Sequence, residues 1–224
     1  MSVMGVWVVG AVADGAVEEA HRRFPDAARA HGVWPEPPAG ARRWRERFGP
    51  AGTRDGAPPA GTRDGTPGQP SHSPLTGGDI ARFADAVDRA RTGAAEADEL
   101  QEHLLRAVPQ QEGDGLFCSA VPRGDGAAAL LWGLGPDAVF GLPGCCGQFL
   151  CDAASVRAAL PAAERALVLS PPRRSRTAAR IRLWLDETAD DPNCDIDELI
   201  DGPLRVLRHA ARTGAGAVGL TLWY

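Results

Sequence analysis

Apolar residues recur along this chain with periods that mark its elements. At the start, Val3, Gly5, Trp7 and Val9 interleave with Met4, Val6 and Val8, the pattern of a strand buried on both faces. Residues 13–30 then bring Ala16, Ala20 and Phe24 near one helical face, and Pro25 is placed to break or kink that helix. Farther on, Thr76 with Asp79 makes a capping signal, and Ile80, Phe83, Ala84 and Val87 follow at helical spacing. Residues 96–108 repeat that spacing with Leu100, Leu104 and Leu105 before Pro109 ends the run.

The segment "GLFCSAVPRGDGAAALLWGL" reads as a buried strand, a turn at Arg123-Gly124-Asp125 and a second apolar segment, the pattern of a hairpin. Asp152 is placed to cap a helix that carries Val156 and Leu160 inward. Within 175–187, Ile181, Leu183 and Leu185 alternate as in a strand, while Ala178, Ile181 and Leu185 fit a helix, which is preferred. Pro203 suits the first turn of a last helix with Leu204, Leu207, Ala210 and Ala211 on one face. Gly214 stops that helix, and "AVGLTLWY" forms a terminal strand.

These elements predict an α+β domain: one mixed sheet that includes the N- and C-terminal strands, packed with several helices. Between them, "GPAGTRDGAPPAGTRDGTPGQPSHSP" repeats AGTRDG and holds almost nothing to bury, so it predicts one long disordered insertion. The domain reading is therefore residues 1–48 as the first strand and helix, 49–74 as a mobile repeat loop, and 75–224 as the remainder of the same domain.

Composition narrows the chemistry. All 24 basic residues are Arg, which points to a GC-rich, actinobacterial kind of genome. Without Lys there is no Schiff-base lysine and no phosphate-loop lysine, and the sole Tyr is Tyr224. A net charge of −5 disfavours nucleic acid and suits a basic protein partner. No apolar run reaches transmembrane length. Ala11-Val12-Ala13 has the look of a signal cleavage site, yet no basic segment precedes it. Five cysteines, an odd number at low density, fit reduced thiols in a cytoplasmic protein.

Three stretches carry candidate chemistry. In "GLPGCCGQFLCD", Cys146 and Cys151 have a spacing that a metal pair can use, with Cys145 adjacent, but no second pair completes a zinc site. Cys151 lies where a strand should meet a helix N-terminus, a position that favours thiolate; His209 or His103 would be its base. The alternative is that these cysteines fill a core as small apolar residues.

In "DETADDPNCDIDELID", Asp191, Asn193, Asp195 and Asp197 alternate like the start of a calcium loop, but Ile196 and Gly202 occupy positions that need Gly and Glu. An acidic rim for a protein partner remains. Arg43 and Arg45 around Trp44, and the run Arg173-Arg174-Ser175-Arg176, are the basic candidates, able to grip phosphate while Trp44 stacks on a base.

The Met4-Gly5 pair and the closing "LRVLRHAARTGAGAVGLTLWY" resemble the YfbM-like family of uncharacterised bacterial proteins. Those proteins open with a Met-Gly strand and close with a helix, a small turn and an apolar strand. Here "DIDE" stands near the C-terminus, where that family has a Leu-Asp-Ile-Asp segment early. The resemblance implies a compact α+β domain and transfers no functional residue.

The expectation is thus a non-enzymatic protein-binding factor, of the immunity or accessory type, with no cofactor. Trp44, Arg43, Arg45, Asp191, Asp195 and Asp197 are its candidate binding residues. A cysteine-dependent enzyme built on Cys151, and Arg-mediated nucleic-acid binding, are the alternatives.

Overall fold

A computed structural model describes residues 4–31, 80, 83–85, 87, 96–111, 113–135, 138, 141–144, 147–189 and 194–224. Four strands form one antiparallel sheet: β1 (Met4–Val12), β2 (Leu116–Pro122), β3 (Phe149–Cys151) and β4 (Gly216–Trp223). Their order is β2-β1-β4-β3, so the strands nearest the two chain ends lie together at the centre. β1 pairs with β4 from Gly5 opposite Trp223 to Val12 opposite Gly216. The fold is α+β, with both terminal strands in a single sheet. The repeat segment 49–74 lies outside the described residues.

Side-chain alternation in the strands feeds two cores. Trp7, Val9, Phe117, Val121, Phe149, Cys151 and Ala217 face one layer, while Val8, Val12, Leu150, Val218 and Leu220 face another. The second layer is α1 (Asp14–Arg23), α2 (Pro25–Ala30) and α3 (Ala97–Ala107), which contribute Val17, Ala20, Phe24, Ala27, Leu100 and Leu104. Pro25 occupies the first turn of α2 and separates it from α1, where its missing N–H costs nothing.

The first layer holds α4 (Gly126–Leu134), α5 (Ala153–Leu167), α6 (Pro171–Thr188) and α7 (Ile196–Thr213). Helical residues Ile80, Phe83 and Val87 are buried there, with the Phe83 ring tilted against Trp132 and edge-on to Trp184. No described helix is long and apolar enough to cross a membrane.

Two sequence expectations are corrected. Residues 126–134 form a helix, not the second arm of a hairpin. The Asp125 carboxylate accepts a hydrogen bond from the Ala128 N–H at 3.0 Å, and every residue of α4 is buried, so no amphipathic period marked it. Pro203 does not open the last helix but sits inside α7, which begins seven residues earlier at Ile196 behind the Asp195 cap. The 175–187 ambiguity resolves as helix α6.

Candidate interaction surface

Cys151 stands at the expected junction, directly before the Asp152 cap of α5, but its thiol is turned into the core. It ends β3 opposite Ala217, is buried in the first core, and is pushed up to about 12, chiefly by burial and then by the charge of Asp152. The free N–H groups at the start of α5 are taken by carboxylates. Asp152 accepts from Ser155 at 2.7 Å, and Asp14 accepts from Ala153 at 2.6 Å. The Ser155 backbone bond, first among its causes, lowers the Asp152 carboxyl pKa. The dipole that was expected to hold a thiolate holds those side chains instead.

Neither candidate base stands near that sulfur. His103 packs against the Phe24 ring, 5.7 Å between centroids, within the layer on the other side of the sheet. His209 lies with Nε2 against Gly115, just ahead of β2. From Cys151 the path to Gly115 runs through Ala217 and Ala11, three strand steps or about 14 Å. Cys145 and Cys146 lie outside the described residues. Among the described residues no group of three or more His, Cys, Asp or Glu side chains could hold a metal ion.

The acidic and basic stretches read separately from the sequence meet in space. Asp195 caps α7, accepting from the N–H groups of Asp197 and Glu198, both at 3.0 Å. Arg174 on α6 reaches across to Asp197 at 2.7 Å and, with two nitrogens, to Asp201 at 2.7 and 2.9 Å. Both carboxylates hold the guanidinium pKa above its ordinary value, Asp201 more than Asp197. Beside this clamp a cleft of about 420 Å³ opens between α6 and α7, lined by Arg182, Asp186, Cys194 and Asp195. At the cleft, Cys194 Sγ stands 3.5 Å from Ser119 Oγ, and burial raises its thiol pKa. Asp191, Trp44, Arg43 and Arg45 lie outside the described residues.

The sheet supplies a surface that the candidate residues did not include. On the face covered by α1, α2 and α3, the even-numbered residues of β1, β2 and β4 form cross-strand rows. One row is Pro122, Met4 and Tyr224, and the next is Ala120, Val6 and Leu222. Met4 is 40% exposed and Tyr224 71%; Ala120 and Cys118 are also exposed, and Val6 and Leu222 are half-buried. Every side chain in these rows is apolar or, for Tyr, aromatic, where a sheet face in water ordinarily carries polar residues.

The same corner carries an open edge. The Ala11 N–H bonds the Gly115 carbonyl at 2.8 Å, and the antiparallel ladder then turns alternate residues inward. That alternation points the backbone groups of Cys118 and Ala120 away from β1, and no other described strand pairs with β2. The opposite edge is closed, because the Leu150 N–H on β3 donates to the His31 carbonyl at 2.6 Å. Compared with protein-family models, curated proteins and solved structures, the chain matches none.

Proposed function

We propose that this chain is a non-enzymatic protein-binding factor, of the immunity or accessory type, that receives an extended segment of a partner along β2. The observation that carries the reading is the coincidence at Cys118 and Ala120 of a strand edge unpaired among the described residues with an exposed apolar face. An edge of this kind binds an added strand through main-chain hydrogen bonds, while the flanking apolar rows take alternate side chains of that strand. The rows of Met4, Val6, Leu222 and Tyr224 extend the contact inward across the sheet. A net charge of −5 favours encounter with a basic partner. Five cysteines at low density and an all-Arg basic complement support a bacterial, cytoplasmic setting for it.

The test is affinity capture from the native cell with wild-type chain and two variants. Ala120→Pro removes the outward N–H while sparing the β1 ladder, as proline on an edge strand does. Met4→Asp charges the apolar row. A partner held by wild type and lost from both variants supports the reading. A partner held equally by all three, or turnover of a substrate without any partner, overturns it.

A further inference from the structure

The arginines of this acidic chain are not distributed evenly between paired and unpaired states. Arg22, Arg29, Arg106, Arg205, Arg208 and Arg212 each hold a carboxylate, as does Arg174. Helix α6 differs. Arg173, Arg176 and Arg180 stand at i, i+3 and i+7, positions that share one helical face, and none has an ion pair or hydrogen bond among the described residues. The inward face of α6 is Thr177, Ala178, Ile181, Trp184 and Leu185, so the three guanidiniums run along its flank. Arg180 lies against Gly135 at the end of α4. Partial burial and then the neighbouring Arg176 charge lower the Arg180 pKa. Like charges are thus crowded where carboxylates, which outnumber arginines in the chain by 29 to 24, could have been placed.

The next residue in line, Leu183 at i+10, is 37% exposed. A basic stripe ending in an apolar contact distinguishes between anionic partners. Nucleic-acid strands bind proteins through phosphate contacts combined with aromatic stacking, and the one aromatic residue of α6, Trp184, is buried in the core. A short acidic protein segment matches both features: carboxylates take the guanidinium forks in bidentate fashion, and an apolar side chain covers Leu183.

We infer that the Arg173–Arg176–Arg180 stripe of α6, with Leu183 at its end, is a docking surface for an acidic, amphipathic segment of another protein. It is separate from the β2 edge, on the other side of the sheet, and does not depend on that reading.

The test is fluorescence anisotropy at low ionic strength with a labelled helical peptide carrying Glu at i, i+3 and i+7 and Leu at i+10. The wild-type chain binds it, and affinity falls with added salt. Arg173→Gln/Arg176→Gln/Arg180→Gln weakens binding about tenfold, the combined effect of three exposed charge pairs. Arg176→Glu alone weakens it as well, and Arg165→Gln on α5 leaves it unchanged, with circular dichroism confirming the fold of each. No binding by the wild type, unchanged affinity in either α6 variant, equal loss with Arg165→Gln, or tighter binding of a single-stranded oligonucleotide overturns the inference.

Discussion

Met4 and Tyr224 exchange both of their backbone hydrogen bonds, at 2.9 and 3.0 Å, and so fasten β1 to the chain's last residue. Their side chains lie side by side on the exposed sheet face, contributing apolar area to solvent and little to the core. Met4→Thr/Tyr224→Thr retains strand propensity at both positions. It is expected to shift unfolding free energy by no more than about 0.5 kcal/mol, as surface substitutions do. Binding of the dye ANS falls at the same time. Urea titration and dye fluorescence on the same samples check both halves; unchanged dye binding would mean that this corner is covered.

Cys151 gives a pH dependence with a definite sign. In the fold its pKa rises from 9.0 to about 12. Above pH 9 the unfolded chain releases this proton while the folded chain keeps it, so stability is intact below 9 and declines as pH rises toward 12. The slope from this one group is about 1.4 kcal/mol per pH unit. Cys151→Ala flattens the decline, as read by urea melts across that range. In the native protein iodoacetamide modifies exposed Cys118 well ahead of Cys151, which peptide mass spectrometry resolves.

The outer parts of the fold were legible where local chemistry decides local structure. Interleaved apolar residues marked β1, an apolar run after the Gly214 stop marked β4, Asp152 marked the start of α5, and Gly214 takes the left-handed conformation, φ +70°, that ends α7. The misreadings occurred where tertiary packing decides. Helix α4 is buried all round, so its apolar run has no period and resembles a strand. In α7 Pro203 was read as the start because an interior proline ordinarily breaks a helix, whereas the helix begins behind the Asp195 cap and runs through the proline. Of the candidate binding residues within the described structure, Asp195 serves as a cap and Asp197 as half of a clamp. The exposed rows could not be read at all. Whether Ala120 faces water depends on which strand lies beside β2 and where α3 stops, and neither is encoded within seven residues.

Two glycines in helices separate packing from propensity. A Cβ on Gly202 would overlap the Phe117 ring, because α7 crosses β2 at that point with no room for a side chain. Gly202→Ala is therefore expected to destabilise the fold by about 2–3 kcal/mol, the cost of overpacking a filled core. Gly15 in α1 has no atom within 4 Å of the same position. Gly15→Ala is expected to stabilise by about 0.5 kcal/mol through helix propensity and a less flexible unfolded chain. Thermal denaturation of the two variants should give shifts of opposite sign.

The Arg174 clamp predicts how α6 and α7 are held at their N-terminal ends. One guanidinium meets carboxylates one helical turn apart, Asp197 and Asp201, and presents two nitrogens to the latter. Exposed ion pairs usually contribute little, but a forked contact to two acids on a capped helix belongs at the upper end of that range, about 1 kcal/mol. A double-mutant cycle of Arg174→Ala with Asp201→Ala should return a coupling near that value. Because the carboxylates are open to solvent, the coupling should shrink markedly in molar salt. Arg174→Lys keeps the charge but loses the fork, so it should recover less than half. Full recovery by Lys would reduce the contact to a point-charge attraction, and a coupling indistinguishable from zero would mean that Leu199, Ile200 and Leu204, buried in the core below it, hold this end of α7 by packing alone.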